Sequence, residues 1–340
     1  MAAQALASKQ ERKKIDVWDF IRSNSHLVTL LILVMIATIL TKGIFIRPSN
    51  LGSIFLRASI LGMLAIGQTL VILTAGIDLS VAANLGLCVA MMSFSMRMGI
   101  DPLFAMVVGI AAAAFVGFIN GLLCAYTKVP PFIVTLSTMM MVYAASLAAI
   151  GTHATVFYEI QDFFNELMAF IPFFGAQAFP ALVWILCTIF WILFLRYSRF
   201  GHNVYATGGK ERAAYYSGVN TKTVKIAVYT LSGLFAGLAT ILYVYKLGGT
   251  NPVAGKEFLL ESIAATIIGG TSLFGGEGKI FGTFVGALVL TILVNLMNIM
   301  NVNPYIQRVI IGSIFICFVF VLDKIRTLRL MKQYASISHP

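Results

Sequence analysis

The chain has 340 residues, 59% hydrophobic and only 11% charged, with a mean hydropathy of +0.91. A soluble domain of this size cannot hide so much apolar surface, whereas a bilayer can. The formal net charge of +11 comes without a basic helix interleaved with aromatics, so nucleic acid is excluded as a partner and the excess is assigned to loops obeying the positive-inside rule.

Taken in order, residues 1–26 are a polar, basic segment expected in the cytoplasm. Within it Ile15, Val17, Trp18, Phe20 and Ile21 suit either an amphipathic helix on the inner leaflet or a solvated anchor. The first apolar stretch has no small-residue cleavage site and reads as a retained span. A span needs about 20 apolar residues. Spans are expected at 27–46, 51–74, 81–98, 103–125, 131–150, 179–196, 224–245, 258–274, 280–300 and 305–322. This makes 27–322 an all-α polytopic transmembrane helical bundle of about ten spans, followed by a cytoplasmic tail, 323–340. Of the 24 Lys and Arg residues, 17 fall on the side of the N-terminus. The longest outward loop, 151–178, has none and carries Glu159, Asp162 and Glu166. Both termini and the loop 196–224 are therefore expected inside, and 151–178 outside. Residues 75–86 and 269–282 are glycine-rich and polar for their depth. Helices break at such points, and a broken helix is tolerated only where protein or a watery cavity satisfies its backbone. Eight spans plus two re-entrant segments is the competing topology.

The polar residues offer little chemistry. Cys88, Cys124, Cys187 and Cys317 sit in apolar segments and read as small core hydrophobes, and the histidines at 26, 153, 202 and 339 are scattered. Neither a metal site nor a cofactor is expected. No catalytic grouping appears, and His153 and His202 read as loop residues. A phosphate loop needs Gly, four residues, then Gly-Lys-Ser/Thr. Here Gly278-Lys279 is followed by Ile280, and Leu273 occupies the place of the first glycine. The protein is expected not to be an enzyme. Gly76, Gly269, Gly270, Gly275 and Gly276 are assigned to tight turns and close helix packing.

Asp78, an acid at membrane depth, is a functional candidate by default. Capping or fixing the turn ranks first, solute contact (with Ser80) second, and proton relay last. Glu261 is expected to be interfacial and paired with Lys256 or Lys246. Asn295 and Asn298, with Asn301 and Asn303, follow helical spacing and suit either a polar path or helix–helix hydrogen bonds. The loop 196–224 includes a helix-compatible stretch, Lys210 to Tyr216, flanked by Gly208-Gly209 and Gly218. A short polar helix slung between two spans is what a membrane subunit needs if a separate engine drives it.

Several strings together resemble the ribose-type sugar permeases of bacterial ATP-binding-cassette importers, within the wider family that includes branched-chain amino acid permeases. They are Ala75-Gly76-Ile77-Asp78-Leu79-Ser80-Val81, Asn120-Gly121, Pro130 to Leu136, Gly201 to Tyr205, Gly208-Gly209, Ser217 to Asn220 and Gly269 to Gly276. Ala75 and Ala82 stand where that family often has glycine. The resemblance covers about residues 45–322 and implies a division of labour. A second permease subunit would complete the pathway, as a homodimer or heterodimer, in a bacterial inner membrane. A cytoplasmic ATP-binding subunit would drive it, and a periplasmic or extracellular solute-binding protein would deliver a monosaccharide-type sugar. Lys210, Glu211, Arg212, Tyr215, Tyr216, Ser217 and Gly218 would form the coupling contact. Alternatives are a permease of the same type for nucleosides or branched-chain amino acids, or an ion-coupled secondary transporter.

Overall fold

The computed structural model describes residues 25–151, 155–169, 179–317, 319, 320 and 324. The expected amphipathic segment around Trp18 and nearly all of the tail lie outside them. The helices are α1 (Ser25–Leu40), α2 (Pro48–Leu73), α3 (Val81–Arg97), α4 (Pro102–Tyr126), α5 (Pro131–Ile150), α6 (Tyr158–Ala169) and α7 (Phe179–Tyr197). After these come α8 (Arg199–Gly209), α9 (Glu211–Tyr216), α10 (Thr221–Leu247), α11 (Phe258–Ile268), α12 (Ile280–Ile299) and α13 (Pro304–Cys317). Two-residue strands β1 (Thr155–Val156) and β2 (Gly249–Thr250) pair antiparallel, a small departure from an all-helical expectation.

Proline opens α2, α4 and α5, where its missing N–H costs nothing and its φ is already helical. Asp101 adds a cap to α4 by accepting from Leu103 N at 2.9 Å. Each of the ten apolar segments contains a helix, and among the described residues six helices are both long and apolar enough to cross a membrane: α2, α4, α5, α7, α10 and α12. Helix α11, with 11 residues, is far shorter than the 258–274 span expected there.

Helices α2 and α10 occupy the centre, with α4, α12, α11 and α7 around them. Their closeness comes from glycine. Gly117 and Gly121 of α4 lie against the backbone of Tyr229 and Ile226, while Gly233 and Gly237 of α10 lie against Ala113 and Ile110. Each helix thus presents glycines four residues apart to the other. In α12, Gly282 and Gly286 meet the main chain of Gly269 and Ala265 in the same manner. In lipid no hydrophobic force joins helices, so such close packing supplies the attraction. The outer helices keep apolar residues such as Phe104, Phe115, Phe190 and Val309 exposed, as a lipid-facing surface requires.

Candidate functional site

Two helix breaks meet at one place. After Leu73, residues 74–80 run as turn and irregular chain before α3, and after Ile268, residues 269–279 do so before α12. Both breaks fall in the glycine-rich segments singled out from sequence. The first is narrower than expected, because residues 81–86 are already helical. Ala75 takes a left-handed φ of 61°, a conformation that costs a residue with a Cβ about 1–2 kcal/mol. Glycine at that position would carry no such cost. Gly275 and Gly276, with φ of 81° and 73°, turn the second break back so that Gly276 N donates to Leu73 O at 2.9 Å. Gly270 also has a left-handed φ, and Gly269 packs on the α12 backbone.

The first break is held by Asp78, which is wholly buried. Its Oδ1 accepts from Ser80 N at 2.9 Å and from Ser80 Oγ at 2.6 Å. Its Oδ2 accepts from Ser232 Oγ of α10 at 2.7 Å. Ser80 Oγ in turn accepts from Asn120 Nδ2 of α4 at 2.9 Å and Asn84 Nδ2 of α3 at 3.4 Å. The carboxylate therefore fixes a turn and knots three helices. This is the first of the roles considered for it, although the bonds run to residue 80 and across to α10 rather than into the first turn of α3. Gly76 is required beside it, since a Cβ there would collide with Tyr229 Oη. The cluster has unspent hydrogen-bonding capacity: Asn84 Oδ1 and Asn120 Oδ1 are buried without partners among the described residues. Buried polar atoms of this kind are ordinarily satisfied by water or a polar solute.

On the α8–α9 side, a stretch expected to be loop up to residue 209 is helical. Gly208 and Gly209 are the last residues of α8 rather than a spacer, because Gly208 rests on the α2 terminus. A Cβ on Gly208 would strike Leu73 O, and it would stand 2.7 Å from Gly276 N. The end of α2, the end of α8 and the second break are thus in main-chain contact. Lys210 separates α8 from α9 in an extended conformation and precedes Glu211. Tyr215 and Tyr216 are 64% and 85% exposed, their rings 5.8 Å apart, beside exposed Arg212, Ser217 and Gly218. Glu211 is half exposed and pairs with Lys225 of α10 at 2.6 Å, so it braces α9 against α10 rather than standing free.

Other candidates are placed elsewhere. Asn295 and Asn50 of α2 exchange hydrogen bonds at 2.8 and 3.1 Å, and Asn298 Oδ1 accepts from Gln307 Nε2 at 2.9 Å. The Asn295 amide is spent between helices, while Asn298 is exposed and uses only its Oδ1; both are remote in sequence from Asp78. Glu261 is buried, and its partner is Arg57 of α2, at 3.0 and 3.1 Å, in place of Lys256 or Lys246. Lys256 instead sits 4.3 Å from the centroid of the Tyr143 ring. Ser232, Asn84 and Tyr229 escaped the sequence reading. Each is an isolated polar residue in an apolar helix, with only the neighbouring glycines as a signal.

A bundle with two facing breaks, a buried polar knot and membrane-length apolar helices has the architecture of a membrane permease. The chain belongs to the family described as branched-chain amino acid transport system / permease component, which it matches over residues 50–319. It is 36% identical over 320 residues to the ribose import permease protein of Bacillus subtilis, covering 92% of this chain and 96% of that one. The D-allose transport system permease protein of Escherichia coli is 36% identical over 297 residues, 87% of this chain and 90% of that one. The fructose import permease protein of Rhizobium meliloti is 34% identical over 317 residues, 90% and 88% respectively. No solved structure matches.

Proposed function

We propose that the chain is the membrane-spanning subunit of an ATP-binding-cassette importer and moves a monosaccharide-type sugar by alternating access. The observation that carries it is the near full-length identity to permeases named for ribose, allose and fructose. The chain is not itself an enzyme, and a separate ATPase subunit and a solute-binding protein complete the system. In the proposed arrangement all ten apolar segments enter the bilayer, both termini lie in the cytoplasm, and a second permease subunit faces the first.

The coupling contact is α9, with Arg212, Tyr215 and Tyr216 seated in the ATPase. Exposed aromatics on a short, braced helix belong to the residue types enriched among protein-interface anchors. Motion there reaches the knot in two ways. Glu211–Lys225 pulls on α10, which carries Ser232, and Gly208 presses on the junction of Leu73 and Gly276. The unspent polar atoms around Asp78 support a place for sugar hydroxyls beside the break. An ion-coupled reading is less favoured, because both carboxylate oxygens of Asp78 already accept hydrogen bonds.

Co-purification with the ATPase tests the coupling contact. Replacing Glu211, Arg212 and Tyr215 with Ala should weaken the complex; a central aromatic anchor alone is worth about 2 kcal/mol, roughly thirtyfold. Undiminished binding together with wild-type uptake would remove α9 from the mechanism. Single cysteines at Glu159 and Lys210, in a background lacking the native four, should label from opposite sides. Labelling of both from one side would overturn the orientation.

A further inference from the structure

We propose that the crevice framed by the end of α7, α8 and the start of α12 binds the headgroup of an anionic phospholipid. The cavity is about 620 Å³, and Arg196, His202 and Lys279 line it together with Tyr205. Two cationic side chains from separate elements, with His202 from a third, thus converge on one space. Among the described residues none of the three takes part in an ion pair. The His202 ring donates from Nδ1 to Ser198 O at 3.0 Å, which in the neutral ring leaves Nε2 a lone pair, so the anion is held by Arg196 and Lys279. Tyr205 Oη donates to Gly278 O at 3.0 Å and closes the crevice toward the second break. The charge inventory suits a phosphodiester, and basic pockets between helix ends at a membrane boundary favour anionic headgroups.

The walls decide between a lipid and a free anion. Ile192 and Phe281 also line the cavity. Phe281 is 45% exposed and stacks on Phe284, which stacks on Trp184 of α7 with centroids 4.3 Å apart. Ile189, 49% exposed, precedes Ile192 by three residues and so continues the same side of α7 away from Arg196. An apolar lane therefore leads from the basic mouth along the α7–α12 seam, as an acyl chain requires and a free phosphate does not. The choice of leaflet rests on the orientation proposed above, while the site does not.

The test uses the full chain with Trp18→Phe and Trp191→Phe, leaving Trp184, which stacks on Phe284 of α12, as the reporter on the seam. It is placed in nanodiscs of phosphatidylcholine with increasing phosphatidylglycerol, one lipid or the other brominated on its acyl chains. Nanodiscs expose both leaflets to the same mixture, so an inverted topology leaves the result unchanged. Brominated phosphatidylglycerol should quench at a lower mole fraction than brominated phosphatidylcholine. Arg196→Gln and Lys279→Gln should each cut that preference about fivefold, the equivalent of about 1 kcal/mol per basic residue. Arg196→Lys should preserve it, which separates loss of the site from misfolding. Equal quenching by the two lipids in the unmutated crevice, or a preference untouched in the double Gln variant, would overturn the proposal. So would abolition of the preference by inorganic phosphate, which would make this a small-anion site.

Discussion

Replacing Asp78 separates hydrogen-bond anchoring from charge. Asp78→Asn keeps Oδ1 as acceptor for both bonds from Ser80, and its Nδ2 can donate to Ser232 Oγ once that hydroxyl turns round. The three bonds become neutral and each weakens by about 1 kcal/mol, a loss of about 3 kcal/mol. Removing the charge from a buried site returns part of its desolvation cost, of order a few kcal/mol. The two terms nearly cancel, so Asp78→Asn should lie within about 1 kcal/mol of the parent. Asp78→Leu gains the same relief but orphans Ser80 N–H and two hydroxyls, at about 1–3 kcal/mol each. It should be destabilised by several kcal/mol and fail to transport. Thermal unfolding followed with a thiol-reactive dye reads this directly, because Cys88 and Cys124 are buried and become reactive as the bundle opens. The more accessible Cys187 and Cys317 are first changed to Ser. If Asp78→Asn falls as far as Asp78→Leu, the negative charge itself holds the break and the anchoring argument is wrong.

Ala75→Gly should raise the unfolding midpoint, because it relieves a left-handed φ of 61° worth about 1 kcal/mol; a lowered midpoint would show that the methyl packs favourably instead. Gly208→Ala should destabilise by about 1–3 kcal/mol through overpacking against Leu73 O, while Gly209→Ala, with nothing within 4 Å of its would-be Cβ, should be silent in the same assay. Glu211→Lys should leave stability within about 1 kcal/mol, since the pair is partly exposed, yet lower ATP-dependent uptake. Adding Lys225→Glu should restore that uptake, and failure of the reversed pair would mean the two residues act separately.

The helices themselves were legible, because hydropathy and basic asymmetry are local signals. So were the breaks, since Ala75-Gly76 and Gly269-Gly270 interrupt apolar runs at membrane depth. What escaped depends on partners far along the chain. Asp78 advertises itself, but Ser232 lies 154 residues away and looks like any small helix residue. Arg57 and Glu261 are 204 apart, and Lys256 offered a nearer false partner. Asn50 pairs with Asn295 across 245 residues, a partner that no local pattern reveals. Helix α8 was hidden by its own composition, since Arg199, Gly201, Gly208 and Gly209 read as loop. Only contact with the α2 terminus explains why glycine is helical there.

The junction of Leu73, Gly208 and Gly276 has a mechanical consequence. It is built from peptide atoms, which have no rotamers to absorb strain. A side-chain contact can yield gradually as one torsion turns; a main-chain contact either holds or lets go. Along α10, Lys225 and Ser232 are seven residues apart, about 10 Å of stiff rod. Under the coupling proposed above, a push that moves α8 would reach the break through main-chain contact, whereas the α10 route begins and ends in side-chain contacts, Glu211–Lys225 and Ser232–Asp78. Joints of this kind favour two seated positions over a continuum. The gate that such a joint works would click between states, and its gearing is set by glycine positions rather than by the identity of the residues around them.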